Sequence, residues 1–383
     1  MFRDECRTRS WRGVAIAGLL RCYHSSLCVC KTMERVLNTK LLAYLEANDI
    51  LSDRQYGFRR NRSTGDLLAY AIHIWSEAIE KHGEALAVSL DISKAFDRVW
   101  HESLISKLPS FGLPTGLCVW IADFLRDRSI RVVIDGCSSS QMTINAGVPQ
   151  GSVLSATLFL LHINDLLKPG TFGYADDSTV AESYTSGARA SGSQIQSLRE
   201  ALVGRLNLSL EAVSEWGDAN MVRFNAAKTQ ACLFSAKKSQ FSPAPTFRGV
   251  SVPIADHLDL LGITLTSTLN FGPYIEAKAQ LAAKKLGILA RVRQYFTPEQ
   301  LLKLYQAQVR SVMEYCSHLW DGSARYQLDA LESIERRANL RGSLAMMHLS
   351  SRDFKVLSID AELLACRFST GCISGSVRRN YII

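Results

Sequence analysis

The stretch Phe172-Gly173-Tyr174-Ala175-Asp176-Asp177-Ser178-Thr179-Val180-Ala181 sets two consecutive carboxylates between two short apolar arms. The arms, Phe172 to Ala175 and Ser178 to Ala181, read as the strands of a hairpin with an acidic tip. A third acid stands in the same kind of place earlier in the chain: the apolar run Ala85 to Leu90 reads as a buried strand and ends on Asp91. A bare carboxylate at the end of a buried strand is costly without a compensating cation. Asp91, Asp176 and Asp177, converging from neighbouring strands, would hold two divalent metal ions about 3.5–4 Å apart. Such a site stabilises an attacking 3′-oxygen, an in-line phosphorus and a departing pyrophosphate. Taken alone, either acidic element also reads as a helix cap or a turn former, so the inference rests on the set.

Around that hairpin lies an ordinary globular composition: 383 residues, 47% hydrophobic, 21% charged and 9% aromatic. Disordered, collagenous and coiled-coil classes are excluded, and the length suggests roughly two to three domains. Lys and Arg number 44 against 36 Asp and Glu, a net charge of +8 that suits a polyanionic partner without requiring one. Ten scattered cysteines fit a reducing compartment better than a disulfide scaffold. Cys22, His24, Cys28 and Cys30 cluster, but their spacing matches no zinc knuckle or ribbon. The apolar run Val14 to Leu20 follows several arginines like a signal-peptide core, yet it is only seven residues long and no convincing cleavage site follows. No stretch approaches the roughly 18 apolar residues of a membrane span. The expectation is a soluble, intracellular protein, nuclear or cytoplasmic or both, with no membrane partner.

Helical spacing begins at Met33, where Val36, Leu37, Leu41, Leu42 and Leu45 recur before Asn48-Asp49 ends the run. The basic loop Gln55-Tyr56-Gly57-Phe58-Arg59-Arg60-Asn61-Arg62-Ser63-Thr64 follows, with Ser63 or Thr64 placed to cap a helix carrying Leu67, Leu68, Ala71, Ile72, Trp75 and Ile79. Residues 92–108 read as one helix with Ile92, Ala95, Phe96, Val99, Leu104 and Leu108 as its buried stripe, and another helix is expected near Leu117 to Leu125. Arg131 to Ile134 reads as a strand entering a turn at Asp135-Gly136. Gly147-Val148-Pro149-Gln150-Gly151-Ser152 is a loop opening a helix with Leu158, Phe159, Leu161 and Ile163. An amphipathic helix is expected over about 195–217. Met221 to Phe224, Ala231 to Phe234 and Leu258 to Leu265 read as strands, and the remainder up to about 340 as mainly helical.

Taken in order, Ala87-Val88-Ser89-Leu90-Asp91-Ile92-Ser93-Lys94-Ala95-Phe96-Asp97, Ala146-Gly147-Val148-Pro149-Gln150-Gly151-Ser152 and Tyr174-Ala175-Asp176-Asp177 resemble the palm motifs of reverse transcriptases. The resemblance is greatest to the polymerases of non-LTR, LINE-type retrotransposons of the jockey group. Gln55 to Arg59 through Ser63-Thr64, Asn225 to Thr229, Leu260-Leu261-Gly262 and Tyr315-Cys316-Ser317-His318-Leu319-Trp320 extend it over about residues 33–340. It implies an α+β right-hand polymerase with fingers, a palm on a small antiparallel sheet, and a helical thumb. The implied reaction is RNA-directed DNA synthesis, adding deoxynucleotides to a primer 3′-hydroxyl on an RNA or DNA template. Two Mg2+ ions are the implied cofactors, with Mn2+ able to substitute, and the implied partners are an RNA template, a DNA primer or target, and deoxynucleoside triphosphates.

The same resemblance assigns roles. Asp91 and Asp176 resemble the principal metal ligands, and Asp177 the third catalytic carboxylate. Phe96, five residues after Asp91, resembles the aromatic gate that rejects a ribose 2′-hydroxyl sterically. Gln150 and Gly151 resemble the loop that packs on the incoming nucleotide and template base, where glycine allows close backbone approach. Lys228 matches the lysine that protonates departing pyrophosphate, and Tyr174 belongs to the substrate side of the acidic motif. Arg59, with Arg62, lies in a finger-like basic loop suited to phosphate or template contact. Arg12, in Trp11-Arg12-Gly13-Val14-Ala15, matches a triphosphate contact, and Leu261-Gly262 a primer grip. Lys284, Lys285, Arg291 and Arg293 suit a heteroduplex backbone. Plainer readings stand beside these: core packing for Phe96 and for the stripe Leu301, Leu304, Tyr305, Gln308, Val309 and Val312, and solvated charge for Lys228 and the arginines.

The expected division is a degenerate N-terminal fingers piece at 1–32, fingers at 33–84, a palm with fingers insertions at 85–275, a thumb at 276–345 and a degenerate tail at 346–383. Gly13 stands where the family has proline, residues 21–29 resemble an insertion, and Ala156 replaces a common proline. The separate endonuclease domain of these elements is expected to be absent from this chain. Two alternatives stay open: a catalytically inactive, truncated retrotransposon remnant that only binds nucleic acid, and a structural protein using the fold as a scaffold.

Overall fold

A computed structural model describes residues 28–225 and 228–340. Arg12, the Cys22 and His24 part of the cysteine cluster, and the expected tail lie outside the described residues. The chain runs through α1 (Cys28–Ala47), α2 (Thr64–Glu80), β1 (Glu84–Asp91), α3 (His101–Lys107) and α4 (Thr115–Leu125). Short ladders follow, β2 (Ser129–Ile130), β3 (Val133–Ile134), β4 (Cys137–Ser138) and β5 (Met142–Thr143), then α5 (Leu154–Ile163), β6 (Thr171–Tyr174), β7 (Asp177–Tyr184) and α6 (Gly192–Ala219). Next come β8 (Gln230–Phe234), β9 (Thr246–Phe247), β10 (Val250–Ser251), β11 (Ile254–Ala255), β12 (His257–Leu260) and β13 (Ile263–Thr266). The last elements are α7 (Gly272–Val292), α8 (Pro298–Tyr305), a π-helical turn at Gln306–Arg310, α9 (Ser311–Met313) and α10 (Arg325–Leu340). The fold is α+β, and it divides into two units. One holds the described residues up to Leu67 and Ile74–Asp256; the other holds Leu68–His73 and the described residues from His257.

In the first unit the sheet order is β11-β8-β1-β7-β6. The neighbours β8, β1, β7 and β6 are antiparallel, and β11 is added parallel to β8. Alternation along β1 sends Leu86, Val88 and Leu90 to one face. There they join a core with Leu158 and Leu161 of α5 and Leu202, Leu206 and Leu210 of α6. The other face of β1 carries Ala85, Ala87 and Ser89 before Asp91 at its end, and those three small side chains leave room for an indole. Trp75 of α2 stacks on Phe234 with centroids 4.2 Å apart and lies 6.4 Å from Phe172. The register agrees, because Phe234 pairs with Ala85, and Thr179 pairs with both Ser89 and Phe172. Helix α2 starts on a capping box in which Ser63 and Asp66 satisfy each other's backbone N–H.

The far end of β1 from Asp91 is fastened by a buried ion pair. Arg199 of α6 donates to both oxygens of Glu84, at 2.7 and 2.9 Å, while the Ser235 and Tyr184 hydroxyls donate at 2.6 and 2.5 Å. Burial works to raise the Glu84 carboxyl, but the donors from Arg199, Ser235 and Tyr184 hold it below 4.5.

Three expected elements differ. Residues 92–108 are not one helix: Lys94 adopts φ 54°, a short 3-10 turn covers Ala95–Arg98, and Trp100 bridges to Ala146 before α3 begins. Met221 to Phe224 is not a strand; only Phe224 bridges, to Ile92, and Met221 has φ 56°. Leu258 to Leu265 is a hairpin, since β12 and β13 pair antiparallel with Leu260 opposite Ile263.

In the second unit, α7 buries Tyr274, Ile275, Ala279, Ala282 and Leu286. Leu301, Tyr305, Val309 and Met313 from the α8–α9 rod are buried, as are Leu331 and Ile334 of α10. Within the expected stripe Gln308 is exposed.

Candidate active site

Strand β1 delivers Asp91 to one end of the sheet, and the register places it directly opposite Asp177 at the start of β7. Tyr174 pairs with Asp177, so Ala175 and Asp176 form a two-residue hairpin loop, with Ala175 at φ 56°. All three expected carboxylates therefore come to one end of the sheet. Their charges are felt: burial first, then repulsion from Asp176 and Asp91, pushes the Asp177 carboxyl from 3.8 up to about 6. Asp176 is raised by burial and by Asp91, against the opposing pull of its own backbone hydrogen bond and of Lys228.

Lys228 supplies the counter-charge, its Nζ 3.4 Å from Asp91 Oδ1. Its place follows from Asn225, whose N–H donates to the Asp91 carbonyl at 2.8 Å and whose own carbonyl accepts from Lys228 N at 3.0 Å. Among the described residues no three His, Cys, Asp or Glu side chains already converge to hold a metal ion. The donor set nonetheless fits a hard divalent cation: it is all oxygen, and two of its carboxyls repel each other for want of positive charge.

Phe96 projects from the 3-10 turn after Asp91, stacked on Phe159 of α5 with centroids 4.8 Å apart and met edge-on by Phe58 at 5.9 Å. The 147–151 loop docks on the same turn. Gly147 N donates to Val99 O and Val148 N to Phe96 O, both at 2.8 Å, and Gln150 Nε2 donates to Asp97 Oδ1 at 2.8 Å. Gly147, at φ 96°, lies so close to the Asp97 backbone that a β-carbon would stand 3.2 Å from its carbonyl oxygen. Gly151, at φ 93°, faces open space. Glu34 of α1 accepts from Ser152 Oγ and Val153 N at 2.7 and 2.8 Å, tying the loop's end to that helix.

Tyr174 is half-buried beside the acidic turn. Arg59 points inward: its side chain is 4% exposed, and it donates to Glu46, to Ser52 O at 2.7 Å and to Leu51 O at 3.4 Å. Arg62 pairs with Asp53 at 2.6 Å and lies over the Tyr56 ring. In the second unit, Leu261 and Gly262 are the turn of the β12–β13 hairpin, with φ 49° and 79°, and Tyr315 Oη donates to Leu261 O at 2.6 Å. Sequence reasoning gave no role to Gln55, Asp97, Glu34 or Tyr315.

This geometry, paired acids on a hairpin beside a third on the neighbouring strand, agrees with what similarity to known proteins shows. The chain belongs to the reverse transcriptase (RNA-dependent DNA polymerase) family, whose model matches residues 18–265. Within the family it carries the reverse-transcriptase domain of the non-LTR, jockey-like retrotransposons. The RNA-directed DNA polymerase from mobile element jockey of Drosophila melanogaster is 28% identical over 331 residues, covering 85% of this chain and 36% of the relative. The polymerase of the same description from Drosophila funebris is 28% identical over 339 residues, with the same shares covered. The chain thus spans about a third of the length of these curated relatives. Among solved structures, apo telomerase from Candida tropicalis, truncated from its C-terminal domain, aligns with a TM-score of 0.42 at 12% identity, over 63% of this chain and 45% of that one. Among the described residues no helix is long and apolar enough to cross a membrane.

Proposed function

We propose that this chain copies an RNA template, and also a DNA template, by adding deoxynucleotides to a primer 3′-hydroxyl and releasing pyrophosphate. In this reading residues 33–84 act as fingers, 85–275 as palm and 276–345 as thumb, and the reaction takes place in the nucleus or cytoplasm, where the substrates are. The observation that carries it is the opposition of Asp91 and Asp177 with Asp176 in the adjoining turn, a cluster of negative charge with Lys228 as its nearby cation.

Asp91, Asp176 and Asp177 would hold two Mg2+ ions, or Mn2+ in their place. Bound there, the ions supply activation of the 3′-hydroxyl and neutralisation of phosphate charge. Lys228, beside Asp91, is positioned to give a proton to the departing pyrophosphate. Phe96, fixed by the ring of Phe159, excludes a 2′-hydroxyl. Gln150 and Gly151 seat the incoming nucleotide, with Gln150 oriented by Asp97, and Tyr174 lines the same side. Arg12 is assigned to the triphosphate. Arg59 acts through the 51–59 loop that it fastens to α1, and Leu261-Gly262 grip the primer.

The test is incorporation of radiolabelled deoxynucleotides on a primed RNA template with Mg2+, alongside Asp176→Asn and Asp177→Asn. Incorporation that vanishes in both variants is expected. A folded chain that binds primed template and incorporates nothing would overturn the reading in favour of a remnant that only binds nucleic acid.

A further inference from the structure

The turn that presents Asp176 does not hold its shape alone. Ala175 lies at φ 56°, in the left-handed region that non-glycine residues rarely adopt. Conformations of this kind persist where their surroundings over-determine them. Here the determinant is one remote side chain. Gln55 is 2% exposed, and its amide engages both backbone groups of Ala175: Oε1 accepts from Ala175 N at 2.9 Å, and Nε2 donates to Ala175 O at 3.4 Å. The same Oε1 accepts from Gly57 N at 2.8 Å, which fixes the orientation of the amide. Only a side chain that donates and accepts at its tip can do this; Glu lacks the donor and Met lacks both.

The backbone around Gln55 is shaped for the contact. Gly173 N donates to Arg54 O and Tyr56 N to Gly173 O, each at 2.9 Å, so residues 54–56 run parallel to the free edge of β6. A β-carbon on Gly57 would stand 2.3 Å from Ala175 N and 2.9 Å from Ala175 Cα, both backbone atoms that cannot swing aside. The strap therefore lies directly on the turn. One residue further, Phe58 meets Phe96 edge-on, and Arg59 anchors the segment to Glu46 of α1.

We propose that Gln55 is a positioning residue for catalysis, in that its amide holds Ala175 in the left-handed conformation that sets Asp176 beside Asp91 and Asp177. The inference rests on the polymerase reading above. It assigns to the basic loop a role other than nucleic-acid contact: the loop shapes the acidic turn from behind.

The experiment compares the parent chain with Gln55→Met, Gln55→Glu, Ala175→Gly and the double variant Gln55→Met/Ala175→Gly. Glycine reaches φ > 0 without help, so Ala175→Gly should relieve the need for the amide. Gln55→Met is expected to lower kcat for deoxynucleotide incorporation by about 10²-fold, the scale of a misplaced catalytic group, while KM for nucleotide moves less than about threefold. The double variant should recover at least about tenfold of that loss. Hydrogen exchange gives a readout independent of turnover. The peptide spanning 171–178 should exchange faster by about tenfold in Gln55→Met, with the β1 peptide unchanged. Should Gln55→Met fail to fold, Gln55→Glu, which keeps the acceptor, carries the same comparison at a smaller loss. An active parent with Gln55→Met within about twofold of it overturns the inference and leaves the polymerase reading standing. So does a loss that Ala175→Gly does not repair, or unchanged protection of 171–178. A parent without Asp176-dependent incorporation overturns the polymerase reading and this inference with it.

Discussion

Asp91 and Asp177 are cross-strand partners, one closing β1 and the other opening β7, with their like charges set face to face across the ladder. Like charges directly opposite on a sheet are destabilising, by a few tenths to about 1 kcal/mol. The strain shows in Asp177, whose carboxyl is pushed up to about 6 by burial and by the charges of Asp176 and Asp91. A core without function would have an apolar or neutral pair here. Asp177→Asn should therefore separate the two demands on the site. At pH 7.5 without divalent cations, the variant is expected to unfold at the same temperature as the parent or slightly higher, by about 0.2–1 kcal/mol of stability. Its incorporation rate with Mg2+ should fall by about 10²-fold or more, the scale of losing one electrostatic stabiliser. Calorimetry beside primer extension checks both, and a clear loss of stability would show that Asp177 is needed for the fold.

Phe96 is backed on one side by Phe159 and edged by Phe58. Its ring cannot shift without breaking a stack, which is what the proposed steric gate requires. Phe96→Val should raise ribonucleotide incorporation relative to deoxynucleotide incorporation by up to about 10²-fold, the ceiling for discrimination by an apolar pocket against an added hydroxyl. Competition between labelled ribo- and deoxynucleotides measures the ratio directly. An unchanged ratio would return Phe96 to plain core packing.

How legible was this in the sequence? The strands around the acids were, because Ala85 to Leu90 is apolar without interruption and the acids stand at chain reversals. The long helix α6 was also visible, from its period, as were α2 with its Ser63 cap and α5. What failed was the part fixed by distant partners. The break after Asp91 depends on Lys94 turning left-handed and on Trp100 pairing with Ala146, and neither leaves a trace in the local period. The reversal at Leu261-Gly262 came only from the resemblance to a primer-grip hairpin and was hidden in the apolar run itself, since a leucine at φ 49° is not a turn residue by type. Within the site, the three acids could be found by chemistry. Gln55 could not, because its work is a contact with residue 175. Arg59 read as a phosphate or template contact or a solvated charge; Glu46, on the preceding helix, and the Leu51 and Ser52 carbonyls turn it inward.

His162 of α5 is 1% exposed, and among the described residues neither ring nitrogen has a hydrogen-bond partner. Its ring lies 5.8 Å from that of Trp216. Burial, with the nearby Lys107 charge adding and Asp165 opposing, pushes its pKa from 6.5 down to about 4. A base depressed in the folded state binds fewer protons than in the unfolded chain between those values, so stability rises with pH across that window. His162 should cost nothing above about pH 6.5 and destabilise progressively as pH falls toward 4. The contribution is up to about 3 kcal/mol for a shift of this size. Urea unfolding at pH 7 and pH 5 tests it against His162→Phe, which should flatten the His-dependent part of the slope. A parent and variant that lose stability in parallel would show that other groups carry the acid sensitivity.

The Leu261-Gly262 turn poses the same problem as the acidic turn, and a different side chain solves it. Both residues have φ > 0, the pattern of a type I′ hairpin, which asparagine and glycine adopt readily and leucine does not. Tyr315 Oη donates to the Leu261 carbonyl at 2.6 Å, and its ring also faces Lys278 at 5.6 Å. Removing the hydroxyl in Tyr315→Phe should cost about 0.5–1.5 kcal/mol, one hydrogen bond, and free the turn to shift. If this turn grips the primer, the variant's KM for primed template should rise several-fold while KM for nucleotide stays constant, since the loosened element touches only the primer. Leu261→Asn in the Tyr315→Phe background should recover both stability and primer affinity, because asparagine tolerates the left-handed conformation without the tether. Recovery of stability without recovery of primer affinity would place the primer contact on the Leu261 side chain itself. A primer KM that never moves in Tyr315→Phe would remove the grip from this hairpin.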